Sequence, residues 1–339
     1  MAKLSGAGVV TVVSVCCCVL IAVLAGQPAA AADGVFERTV FELVSTAIRG
    51  NSTVDGDHRV GPALIRLLFH DCWVNGCDGS VLLDETPADG TNTEKKAAKS
   101  IGLAGFDMID RIKAELVSAG GEASCSDILA FAARDAASVL SGGRIRYAVR
   151  RRRRRRAPGG LGKGDLAALS GAHAVGAAHG SSFAARLRPS AAAAHQINGT
   201  YQLALIARHK LLQTMATVSA PTETTTMMNN NVRDMDPAFR AAASYSGVGV
   251  DTAAAGALDN SYYTANLQNM VLLKSDWELT QDEGTLARLV AYRDDAARWS
   301  EDFGDAMERL SNLRPPVGAR LEVRKNCRVT NLSPGRAVA

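Results

Sequence analysis

Aromatic side chains are scarce in this 339-residue sequence, at 5%. No internal repeat runs through it, and no alternation of strand and helix signals gives a βαβ rhythm, so solenoids and doubly wound sheets are excluded. Past the N-terminus no stretch is long and apolar enough to span a bilayer. Zinc coordination by cysteine lacks its usual support, a second closely spaced cysteine pair or a matching histidine spacing. The segment APGGLGKGD, 157–165, resembles a phosphate loop, yet no Ser or Thr follows its Gly-Lys and no apolar strand precedes it.

The one long apolar run lies at the start. Lys3, an apolar stretch over residues 9–25 and small residues ending near Ala32 read as a secretory signal peptide, 1–32, leaving a mature chain of 33–339. Cys16, Cys17 and Cys18 leave with it. Cys72, Cys77, Cys125 and Cys327 remain, and in an oxidising compartment four cysteines allow three pairings. The short interval from Cys72 to Cys77 suggests one local clip and one bridge tying the C-terminus to the middle of the chain. Sequons at Asn51, Asn198 and Asn331 fit a glycosylated, extracellular or cell-wall protein.

Helical spacing dominates the rest. VFELVSTAI, GPALIRLLFHD, AGFDMIDRIKAEL and CSDILAFAARDAASVL carry apolar residues three and four apart. The same holds for GDLAALSGAHAVGAAH, YYTANLQNMVLL, TLARLVAYRDDAARW and FGDAMERLSNL. Alternation is confined to IRYAV and RLEVRK, which read as a small hairpin or ribbon, and TETTTMMNNN, 222–231, reads as a surface loop. A mostly α-helical domain of many short helices is expected. Seven consecutive arginines, 150–156, account for more than the whole formal net charge of +4, and without them the remainder carries −3. The basic balance therefore belongs to one self-repelling, exposed loop.

The segment RLLFHDCWVNGCDGS, 66–80, concentrates candidate chemistry. On a helix Arg66 and His70 are one turn apart and point the same way, with Phe69 beside them. A neutral imidazole can take a proton from one peroxide oxygen and return it to the other, while a guanidinium stabilises the electron-rich bond as it breaks. Asp71, Asp78 and Ser80 offer hard oxygens of the kind Ca²⁺ takes, although their spacing is not that of an EF-hand. His173 lies in an Ala- and Gly-rich run that would let a flat ring approach, as a haem ligand requires, with His179 as a competitor six residues on.

Taken in order, the blocks R-x-x-F-H-D-C-x-V-x-G-C-D-G-S-V-L-L, SCSDILAFAARD, DLAALSGAHAVG, LDNSYYTANLQNMVLLKSDWELTQDEGT and the late NCR resemble the secreted plant, or class III, haem peroxidases. The resemblance runs from about residue 36 to residue 331. It implies a many-helix haem peroxidase fold with haem b between distal and proximal halves. H₂O₂ would be reduced there at the expense of two one-electron oxidations of small phenolic donors. Arg66, His70 and Phe69 fall on the distal side, His173 is the iron ligand, and Asp276 accepts its N–H. The resemblance also assigns a distal Ca²⁺ to Asp71, Val74, Gly76, Asp78 and Ser80, with Glu94 holding a water nearby. A second, proximal Ca²⁺ goes to Asp251 and Asp259. The implied disulfides are Cys72–Cys77 and Cys125–Cys327.

The chain departs from the family pattern in several places. Gly180 stands where the family has a cysteine, and two family disulfides are absent as pairs. Ser100 replaces the asparagine that supports the distal histidine, and Ala174 and Ala254 replace threonines of the proximal calcium site. Between IRYAV and DLAALSGAH the family's substrate-access segment is shortened to the arginine run. The expectation is a monomeric peroxidase of reduced activity that binds no nucleic acid. The alternative is an impaired peroxidase-like extracellular protein whose residues 150–156 bind acidic polysaccharide.

Overall fold

The computed structural model describes residues 29–50, 59–84, 93–151, 160–188, 196–219, 227–229, 257–319 and 321–331. Four helices make one half: α1 Ala29–Arg49, α2 Val60–Cys72, α3 Phe106–Ser118 and α4 Cys125–Leu140. Then come α5 Lys163–Ser170, the short α6 Gly180–Phe183 and α7 Gly199–Ser219. The other half is completed by α8 Ser261–Leu267, α9 Lys274–Glu278, α10 Glu283–Asp294 and α11 Ala296–Ser311. The expected mostly α-helical architecture is present.

Helix α4 is the centre of the first half. Ser124 caps it by accepting the Asp127 backbone N–H at 3.1 Å, which satisfies one of the free donors of a helix start. Thirteen of its sixteen residues are buried, five of them alanines, so α1, α2 and α3 can all approach closely. Phe131 on α4 meets Phe36 on α1 edge to face at 5.0 Å. Helix α11 touches both halves, packing on α5 and on α2, and its Gly304 is required because a Cβ there would lie 2.9 Å from the Arg146 carbonyl oxygen.

Several sequence expectations need correction. IRYAV is not a strand. Its alternation is real, with Ile145 fully buried and Arg146 exposed, but the extended chain has no partner strand among the described residues. The described part of RLEVRK, 321–325, is likewise irregular. Among the described residues the only strands are β1 Ala177–His179 and β2 Met227–Asn229, paired antiparallel with Ala178 opposite Met228. The expected loop at 222–231 thus contributes a strand, and its other residues lie outside the described ones. TLARLVAYRDDAARW is two helices, since Asp295 leaves the helical conformation and caps α11 through the Arg298 N–H. YYTANLQNMVLL stops as a helix at Leu267, before Asn269 turns with a φ of 56°.

The arginine run is less uniform than its charge suggests. Arg150 is exposed, but Arg151 stacks on Phe36 at 4.8 Å and donates to the Glu122 carbonyl at 2.6 Å. Residues 152–156 lie outside the described ones, as does 1–28 of the expected signal peptide. The boundary expected at residue 32 falls inside the first turn of α1. Both disulfides named from the resemblance are formed, Cys72–Cys77 and Cys125–Cys327.

Candidate active site

The run expected as one helix over GDLAALSGAHAVGAAH breaks after Ser170, and the break presents His173. The Tyr263 hydroxyl shares its one hydrogen between the Ala167 and Ala168 carbonyls, 2.8 and 3.0 Å away, and Trp299 Nε1–H donates to the Ala168 carbonyl at 3.2 Å. The Ala168 carbonyl also accepts the Gly171 backbone N–H, so these side chains add to the backbone bond that closes the helix. Gly171 admits both rings, because a Cβ there would sit 2.6 Å from Trp299 Nε1 and 2.7 Å from the Tyr263 oxygen. The chain then tightens into a 3₁₀ turn, Gly171–Ala174, that carries His173.

His173 Nδ1 lies 2.8 Å from Asp276 Oδ1, across 103 residues of sequence. Asp276 is 4% exposed on the short helix α9. Burial lowers the imidazole pKa, but the Asp276 charge and hydrogen bond outweigh it and the net shift is upward. With Nδ1 engaged, Nε2 is the nitrogen available to a metal, and the side chain is 37% exposed. His179 makes no such pair. It sits on β1 with its ring against Gly102, whose φ of +77° and lack of Cβ make room for it.

On α2, Phe69 is 36% exposed and its ring meets that of His70 edge to face at 5.8 Å. Burial, then the Arg66 charge, pushes His70 down to about 4, so its imidazole is neutral at physiological pH. Arg66 donates to the carbonyls of Gly102 at 3.1 Å and Ile101 at 3.4 Å, directly after the buried Ser100. Its charge bears on both His70 and His173.

The loop after α2 gathers the expected calcium donors. Asp71 is 2% exposed, Asp78 Oδ1 accepts the Ser80 N–H at 2.8 Å, and Ser80 Oγ donates to Glu94 Oε2 at 2.7 Å. Glu94 therefore contacts Ser80 directly. Gly76, at a φ of +77°, is buried against the Arg314 carbonyl, while Val74 is 78% exposed. Donor atoms of Asp71, Cys72 and Cys77 lie within 4.8 Å of one another. The two sulfurs are bonded to each other, so hard oxygen is what the loop offers, and that donor chemistry suits Ca²⁺. On the proximal side Asp259 accepts the Ser261 N–H at 3.0 Å, and Ala174 is fully buried. Asp251 and Ala254 lie outside the described residues.

A family model described as Peroxidase matches residues 44–157 and 148–295. The chain belongs to the peroxidase family. Peroxidase 40 of Arabidopsis thaliana is 34% identical over 322 residues, covering 87% of this chain and 82% of that protein. Peroxidase 2 of Zea mays is 35% identical over 301 residues, 80% of each chain. The lignin-forming anionic peroxidase of Nicotiana tabacum is 30% identical over 335 residues, 90% of this chain and 95% of that one. Similarity to these plant peroxidases, together with the two disulfides, supports an extracellular location for this peroxidase.

Sequence reasoning missed several residues that build this site. Tyr262, Tyr263, Asn266 and Trp299 all support His173 or Asp276 and are at most 2% exposed. In a chain with few aromatics, the adjacent tyrosines of LDNSYYTAN were the available signal.

Proposed function

We propose that this peroxidase binds haem b through His173 Nε2 and reduces H₂O₂ while oxidising small phenolic donors one electron at a time. Bound haem would supply the redox chemistry. His70, held neutral, takes a proton from the peroxide oxygen that approaches it and returns one to the departing oxygen. Arg66 remains charged and stabilises the electron-rich oxygen. Asp276 fixes the tautomer of His173, because a carboxylate can only accept and so the hydrogen resides on Nδ1. Phe69 contributes an apolar wall. Asp71, Val74, Gly76, Asp78 and Ser80 would hold one Ca²⁺ with Glu94 beside it, and Asp259 with Asp251 a weaker second one.

The observation that carries this reading is the pairing of His173 with the buried Asp276 at 2.8 Å, with Nε2 left for iron. The test is haem titration of the full chain and of His173→Gly. The parent should give a histidine-ligated ferric spectrum, and the variant should lose it and regain it in part with added imidazole. An unchanged spectrum and turnover in the variant would refute the assignment.

A further inference from the structure

The acceptor of the His173 hydrogen bond is shared. Tyr262 Oη lies 3.0 Å from Asp276 Oδ1, the same oxygen that His173 Nδ1 approaches at 2.8 Å. Asn266 Nδ2 lies 2.9 Å from the Asp276 backbone carbonyl and 3.1 Å from Tyr262 Oη. All three supporting groups are buried: Tyr262 is 2%, Asn266 0% and Asp276 4% exposed.

The chemistry of the groups fixes every hydrogen in this network. A backbone carbonyl can only accept, so Asn266 must present its amide nitrogen to Asp276 and thereby to Tyr262. The phenol oxygen accepts from that nitrogen. Its single hydrogen is then directed at Asp276 Oδ1. Burial, then the Asp276 charge, holds the Tyr262 pKa well above its ordinary value, which keeps that hydrogen in place. Two donors therefore divide one carboxylate oxygen in a water-poor setting, where such bonds are strongest. Each donor takes a share of the negative charge, and what Tyr262 takes is denied to His173.

We propose that Tyr262, oriented by Asn266, is a positioning residue that limits how much negative charge Asp276 passes to His173, and so sets the electron density that Nε2 offers to iron. This rests on the reading of His173 as the iron ligand. Arg186 acts in the same direction. Its guanidinium is 6% exposed, is held by the carbonyls of Gln196 and Val271 at 2.9 and 3.1 Å, and is attracted by the Asp276 charge. The proximal side is thereby restrained from giving His173 full imidazolate character.

The test is made on the haem-loaded full chain with Tyr262→Phe, which removes only the competing hydroxyl. The iron–histidine stretching frequency, read by resonance Raman, should rise, and the Fe(III)/Fe(II) midpoint potential should fall. Asp276→Asn, which removes the acceptor's charge, should move both the opposite way. Adding Tyr262→Phe to Asp276→Asn should then change neither, because Tyr262 acts through that carboxylate. Asn266→Ser, which leaves the phenol unoriented, should shift both in the Tyr262→Phe direction by less, and it decides the matter if Tyr262→Phe does not fold. Lower stability with parental frequency and potential in either folded variant would overturn the proposal, leaving a merely structural hydroxyl. Failure of the His173 assignment is separable, since only that failure leaves the His173→Gly spectrum unchanged.

Discussion

Replacing Gly171 by alanine tests how the turn that carries His173 is built. The added Cβ would lie 2.6 Å from Trp299 Nε1, 2.7 Å from Tyr263 Oη and 2.8 Å from Trp299 Cε2, whereas ordinary carbon contacts begin near 3.5 Å. Two fully packed rings would have to withdraw by roughly 0.7–0.9 Å, judged against that contact distance. Overpacking of this kind costs about 1–3 kcal/mol. The withdrawal also stretches the bonds to the Ala167 and Ala168 carbonyls, each worth about 1 kcal/mol. We expect a loss of about 3 kcal/mol. With a urea dependence of about 3 kcal/mol per molar, that lowers the unfolding midpoint by roughly 1 M. The assay is urea unfolding followed by far-UV circular dichroism, on parent, Gly171→Ala, Tyr263→Phe and the double variant. Removing the hydroxyl relieves one of the clashes, so the double variant should be more stable than the two single losses predict. A Gly171→Ala midpoint within about 0.2 M of the parent, well below the roughly 1 M expected from that dependence, would refute this account of how α5 ends.

Two further outcomes follow from the same structure. Because His70 is held near 4 when folded and titrates near 6.5 when unfolded, the unfolded chain binds the proton first as acidity rises. This group's contribution to stability should therefore be lost as pH falls from about 6.5 through 4. Peroxide reduction should stay level down to about 4, and Arg66→Gln should move the inflection upward; an inflection near 6.5 in the parent would contradict this. For the disulfides, the loop-entropy relation gives about 5 kcal/mol for a separation of 202 residues and about 2 kcal/mol for one of 5. Cys125→Ala/Cys327→Ala should accordingly lower the urea midpoint far more than Cys72→Ala/Cys77→Ala, and equal losses would contradict the loop argument.

Helices whose apolar residues recur every three or four positions were legible wherever their own spacing decided the matter, as in α2, α3 and α4. Breaks imposed by distant partners were not. Nothing local in DLAALSGAHAVG announces that Tyr263 and Trp299 will claim the carbonyls of Ala167 and Ala168, because those rings come from 95 to 131 residues away. Alternation in IRYAV was read as a strand of a small hairpin or ribbon, and what it marks is one buried and one exposed face of an extended segment. Periodicity does not say whether that face meets a sheet or the side of a helix. The pairing of His173 with Asp276 was reached through family resemblance alone, since 103 residues separate them. Tyr262 and Asn266 escaped notice because their role depends on a backbone carbonyl, which no side-chain pattern encodes.

The bond from Cys125 to Cys327 also has a consequence in time. Synthesis proceeds at about 5–20 residues per second, so the 202 residues between the two cysteines take on the order of 10–40 s to emerge at that rate. Throughout that interval α4, the centre of its half of the molecule, carries an unmatched thiol at its first residue. Arg324, which donates to the carbonyls of Gly79 and Cys327, emerges just as late. The loop holding Asp71, Asp78 and Ser80 is therefore braced only when the ribosome has nearly finished. Nascent chains halted before residue 324 should carry a reactive Cys125 and be the species that disulfide isomerases and thiol-dependent quality control recognise.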